Sequence, residues 1–128
     1  DIRLLTGPEL LTGSTRLKAA TATKMTLNMI STIVMIRLGK VYGNKMVDVS
    51  VKNNKLHDRA LRILSEIAHV DRDQGETLLK SSNGSVKLSI LMAIGKFGVK
   101  RAQEILDENN NYLRPSIDQV SMPNNNSK

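Results

Sequence analysis

The chain has 128 residues, no cysteine and a formal charge of +7. That length suits one domain, or part of one with a small neighbour, and the missing thiols exclude a disulfide framework and a thiolate metal site. The positive charge invites a nucleic-acid partner, but an aromatic content of 2% leaves almost no stacking platform, and the cations are scattered from Arg3 to Lys128 rather than massed. No nucleic acid is therefore expected. A chain without thiols suits a reducing cytoplasm. It opens on Asp1 with no charged-then-apolar leader, which is read as a start inside a longer protein.

"DIRLLTG" reads as the end of a strand running into a turn, with Gly7-Pro8 as punctuation. A long helix is predicted from Ser14 or Thr15 to about Lys40. Its middle, Met25 to Ile36, is apolar on nearly every face. Lys24 and Arg37 bracket a run too short for a bilayer, so no membrane partner is expected. The helix should instead be buried in protein, with Met25, Met29, Ile33 and Ile36 along one stripe. "MVDVSV" (46–51) alternates as a short extended segment does.

Asn53 or Asn54 then caps a helix reaching His69, with Leu56, Ala60, Ile63, Leu64 and Ile67 inward. Three short helices follow. The first runs over 72–80, opened by Asp73 with Glu76 in a capping-box spacing. The second runs over 85–95, after the break at Asn83-Gly84, and the third over 99–108. Too short to stand alone, they should share a core of Leu78, Leu79, Val86, Leu88, Leu91, Ile94, Ile105 and Leu106. From Pro115 the chain turns polar and reads as a disordered tail. The expected organisation is thus 1–51, 52–113 and a tail over 114–128.

The chemistry concentrates at the front. "GPELLTGSTRLKAATATK" places Gly13, the hydroxyls of Thr12, Ser14 and Thr15, and the cations Arg16 and Lys18 where a helix begins. A helix N-terminus is already positive, so two cations there are mildly unfavourable unless an anion joins them. One reading is a phosphate site; the other makes Ser14 a plain N-cap and the cations surface residues. It is not a nucleotide P-loop, because Ser14 rather than lysine follows the second glycine. Glu9, next to such an anion, would suit a sugar hydroxyl. His57 and His69 lack companion carboxylates at metal spacing, so no metal site is expected. No nucleophile elbow or cysteine nucleophile is present.

These residues carry a resemblance. "GPELLTGSTRLKAATATKM" resembles the signature of N-acetylmuramic acid 6-phosphate etherases and their relative, the glucokinase regulatory protein, in the sugar isomerase (SIS) superfamily. The likeness continues through "GKVYGNKMVDV" and "NNKL" and covers about residues 1–113. Ala20 departs from the family's usual glycine, and the Asn-rich tail is unlike it. The resemblance implies a mostly α chain: the C-terminal part of an α/β SIS domain, followed by a small three-helix bundle of ubiquitin-associated type. It also implies a cytoplasmic lyase of cell-wall recycling that works without cofactor or metal. That enzyme eliminates D-lactate from N-acetylmuramic acid 6-phosphate and adds water to give N-acetylglucosamine 6-phosphate.

The family's catalytic glutamates lie upstream of the signature, so no catalytic residue is expected in this chain. Glu9, Gly13, Ser14, Thr15, Arg16 and Lys18 should face the sugar phosphate. Lys55 resembles a lid lysine of the regulatory protein that reaches the ligand. The other reading the resemblance allows is a non-catalytic sugar-phosphate sensor of that regulatory type.

Overall fold

The structure, a computed structural model, describes residues 1–122. It is mostly helical and divides into two units, Asp1–Arg37 and a second from Leu38 onward.

In the first unit a single helix, α1 (Leu17–Arg37), follows an irregular opening segment. The strand expected over "DIRLLTG" does not form. A strand exists by pairing, and no described segment pairs with this one; Ile2 is 70% and Leu5 94% exposed. The helix starts later than expected, at Leu17 rather than Ser14. Four of its five hydroxyls are satisfied within the helix. Thr21, Thr23 and Thr26 each donate to the carbonyl four residues back, and Ser31 donates to Asn28. This hides polar atoms and leaves the outer surface more apolar than the sequence looks.

No residue of α1 is buried. The expected inward stripe of Met25, Met29, Ile33 and Ile36 is instead about half exposed, because nothing within this unit lies against it. By length and composition α1 could cross a membrane, as many core helices of soluble proteins also could. An apolar surface of this size calls for a cover. The chain is expected to self-associate, with apparent mass in light scattering rising with concentration; a constant monomer mass would show the helix is content in water.

The second unit begins with a two-residue hairpin. β1 (Val41–Tyr42) pairs antiparallel with β2 (Lys45–Met46), in the register Val41 with Met46 and Tyr42 with Lys45. Gly43 turns it with a φ of +60°, at the first central position, where the primed hairpin turns need glycine. Of the extended segment expected over 46–51 only Met46 belongs to the ladder; the rest continues as irregular chain, although Val47 is buried.

Asn53 then caps α2 (Asn54–Ala68) by accepting from the Leu56 N–H at 2.9 Å. α3 (Arg72–Ser81) is opened by Asp71 with Gln74, not by Asp73 with Glu76. The two side chains exchange hydrogen bonds with each other's backbone in a true capping box, two residues earlier than expected. Asn83 and Gly84, both at positive φ, end α3, and the Gly84 N–H returns to the Leu79 carbonyl. Ser85 caps α4 (Val86–Gly95), which is followed by α5 (Val99–Glu108).

The chain does not then dissolve into a tail. α6 (Leu113–Ser121) follows, with Leu113 and Ser116 buried. Pro115 punctuates less than its reputation suggests, because it lies in the first turn, where backbone N–H groups have no helical partner anyway. The Arg114 guanidinium also lies 4.8 Å from the centre of the Tyr42 ring. The last part of the expected tail, 123–128, lies outside the described residues.

α4 is the centre of this unit. It packs against α2, α3, α5 and α6, which explains why six consecutive residues, Val86 to Leu91, are all buried. Polar members of that run are satisfied: Ser89 donates to the Ser85 carbonyl and shares a 2.7 Å hydrogen bond with Ser82. Lys87, only 4% exposed, donates from Nζ to the Asn111 carbonyl at 2.9 Å. Burial pushes its pKa below the ordinary lysine value, while Asp48 pulls the other way. Leu64, Ile90, Leu91 and Leu113 are the largest side chains sealed from water. Leu78 and Ile94 from the expected core are half-buried at its edge.

Candidate phosphate-binding site

The anion that the sequence seemed to lack at the start of α1 is present, and it is Glu9. Its carboxylate accepts from the Lys18 N–H and the Ala19 N–H, each at 3.1 Å. Glu9 therefore caps α1 from eight residues before its first helical position, and Ser14 does not serve as the N-cap. The capping lowers the Glu9 pKa below the ordinary glutamate value. The Lys18 N–H contributes most and the Ala19 N–H next, with smaller help from the Leu17 amide and the Lys18 ammonium. Lys18 also turns back to donate from Nζ to the Pro8 carbonyl at 2.9 Å. Three hydrogen bonds thus tie Pro8 and Glu9 to Lys18 and Ala19.

Between those ties runs the segment 10–17. Gly13 has a φ of +112° and open space where a Cβ would be, a conformation that L side chains rarely adopt. Ser14 and Thr15 follow, and among the described residues neither hydroxyl makes a hydrogen bond; the same holds for the Arg16 guanidinium. The segment therefore presents hydroxyls, one guanidinium and an unhindered glycine backbone, beside a helix terminus whose first amides are already occupied.

Of the residues expected to bind phosphate, the structure brings Glu9 and Lys18 into direct contact through the backbone. Gly13, Ser14, Thr15 and Arg16 lie on the closed segment between them. Lys55 belongs to the second unit, where it is exposed on the first turn of α2. The capping role of Glu9 escaped the sequence because the cap comes from far outside the helix, beyond the usual N-cap position. The histidines have local structural roles. His57 lies 3.2 Å from Glu76, joining α2 to α3, and His69 ends α2 in the left-handed region. Among the described residues no group of three or more His, Asp or Glu side chains could share a metal ion.

Comparison with known proteins shows what the chain is similar to. Residues 43–89 match the family described as the C-terminal lid domain of glucokinase regulatory protein. Over 117 residues, 91% of this chain, it is 62% identical to an N-acetylmuramic acid 6-phosphate etherase of Prochlorococcus marinus (strain MIT 9303), covering 37% of that protein. It is 59% identical over 118 residues, 92% of the chain, to the etherase of Synechococcus sp. (strain CC9902), again covering 37% of it. The etherase of Trichodesmium erythraeum (strain IMS101) is 54% identical over 121 residues, 94% of the chain and 39% of that protein. The resemblance read from the signature is thus borne out over nearly the whole chain. The chain spans under two-fifths of the length of these relatives.

Proposed function

We propose that this chain is the C-terminal segment of an N-acetylmuramic acid 6-phosphate etherase. That enzyme is a cytoplasmic carbon–oxygen lyase that releases D-lactate and N-acetylglucosamine 6-phosphate during cell-wall recycling. The observation that carries the reading is 62% identity to an etherase across 91% of the chain. In this reading the first unit is the end of an α/β SIS domain and α3–α5 form a bundle of ubiquitin-associated type. α1 is covered by the remainder of the parent or by a second copy.

Gly13, Ser14, Thr15, Arg16 and Lys18 bind the phosphate, Glu9 belongs to the same pocket, and Lys55 reaches the ligand from the lid. The supporting geometry is the closed segment 9–18 and its unpartnered hydroxyls. Such a segment anchors substrate without performing the chemistry. Elimination needs a base to take the proton beside the sugar's carbonyl carbon and an acid to protonate the departing ether oxygen, and both are assigned to the part of the relatives that this chain does not cover.

A second reading, a non-catalytic sugar-phosphate sensor, is favoured by the match of 43–89 to the regulatory protein's lid. Either way the site binds a phosphosugar. Titrating the ¹⁵N-labelled chain with N-acetylglucosamine 6-phosphate is expected to shift the Gly13, Ser14, Thr15 and Arg16 amides at millimolar ligand. Resonances that stay in place would remove the phosphate site from this segment.

A further inference from the structure

We propose that Glu9 is a positioning residue. Its carboxylate, held on the first amides of α1, closes residues 9–18 into a preformed loop that presents Gly13, Ser14 and Thr15 to the phosphate. The inference gives the sugar-phosphate reading above its geometry and rests on that reading for its purpose.

Two features of the loop carry it. Both oxygens of Glu9 are engaged by backbone N–H groups, at 3.1 Å each, so its carboxylate is fixed from two directions rather than hanging into solvent. The second tie, from Lys18 Nζ to the Pro8 carbonyl, comes from the residue whose amide Glu9 accepts, so the two bonds close the loop at one point. Between the ties, Gly13 occupies backbone space closed to other residues, and the hydroxyls of Ser14 and Thr15 are left unspent. A loop ordered before the ligand arrives has already met the entropic cost of ordering, which otherwise weakens binding.

The arrangement also settles why a carboxylate sits beside a phosphate site. Its negative charge is directed at the positive end of α1 and at Lys18, so it neutralises the helix terminus instead of repelling the ligand. Anion recognition is thereby left to Gly13–Arg16 and the remaining donors of the Lys18 ammonium, rather than to the α1 amides.

The sign of the pH dependence follows from the lowered Glu9 pKa. A depressed carboxylate stabilises the closed loop at pH values above its ordinary value of 4.5, and that stabilisation is lost as pH falls through the lowered value.

The test uses this chain without ligand, comparing Glu9→Ala and Glu9→Gln with the unsubstituted protein by amide exchange and ¹⁵N shifts. In Glu9→Ala, exchange at Lys18 and Ala19 is expected to rise roughly tenfold, the scale of a lost helix cap, and the Gly13, Ser14 and Thr15 shifts should collapse toward random-coil values. Glu9→Gln, which keeps only one of the two acceptor oxygens, should fall between Glu9→Ala and the unsubstituted protein on both readouts. In the unsubstituted chain the same shifts should follow one acid titration with its midpoint below 4.5.

Faster exchange at Lys18 and Ala19 with Gly13–Thr15 unmoved would overturn the proposal, since Glu9 would then be a cap and nothing more. Unchanged exchange in Glu9→Ala would overturn it as well. A failure of sugar phosphate to bind would count against the functional reading and leave these ligand-free readouts intact.

Discussion

Leu64→Ala should lower the stability of the helical unit by about 2–5 kcal/mol, the range for emptying a leucine site in a packed core. Leu64 is 0% exposed and belongs to the cluster with Ala60, Ile90, Leu91 and Leu106 that α2, α4 and α5 build together. The cluster is the main apolar core of a unit of fewer than a hundred residues, so few other contacts could take over its role. Leu5→Ala provides the contrast: Leu5 is 94% exposed, so its removal should leave the transition within a few tenths of a kcal/mol. Urea unfolding followed by circular dichroism reads both. A Leu64→Ala midpoint equal to the parent's would mean that this core is not what holds the unit together.

This chain alone should release no D-lactate from N-acetylmuramic acid 6-phosphate. Acceleration comes from groups that bind the transition state better than the substrate, and general acid and base pairs supply roughly 10²–10⁴-fold each when held in place. In the proposed reading the closed loop at 9–18 contacts a phosphate that is remote from the bond being broken and does not change in the reaction. Such contacts hold substrate and transition state alike. Glu9 is the only carboxylate of that loop, and both its oxygens are tied to backbone amides with its pKa lowered; a carboxylate with a lowered pKa is a poorer proton acceptor. Incubation with substrate and an enzymatic D-lactate assay checks this. Turnover that disappears in Glu9→Gln would place the chemistry in this segment after all.

The helices of the second unit were legible because their caps are local. Asn53, Ser85 and the Asn83-Gly84 stop each act within a few residues of the helix they delimit, and the spacing of Ala60, Ile63 and Leu64 shows the inward face directly. α6 was hidden for the opposite reason. Pro115 looks like a breaker unless Leu113 and Ser116 are known to face α4 and the helix to start just before it, which tertiary packing decides. The strand at the start failed on the same ground, since strand-compatible residues before a Gly-Pro turn do not identify a partner to pair with.

At the site, glycine, hydroxyls and cations marked the loop in the sequence. Glu9 was singled out too, but as a partner for a sugar hydroxyl; its closing role did not show, because it caps α1 from a distance no local capping rule covers. A pair of unexplained cations at a helix start was the available clue, and it pointed to an anion without saying that the chain itself carries one.

The central claim is that this segment is the phosphosugar-anchoring part of an etherase. It is tested most directly by a chimaera in which this chain replaces its 117 matching residues in the etherase of Prochlorococcus marinus (strain MIT 9303). The account predicts that the chimaera releases D-lactate from N-acetylmuramic acid 6-phosphate, and that Ser14→Ala and Arg16→Ala raise its KM with little change in kcat. A folded chimaera that binds the sugar phosphate but releases no lactate, or one whose KM is indifferent to both substitutions, would contradict it.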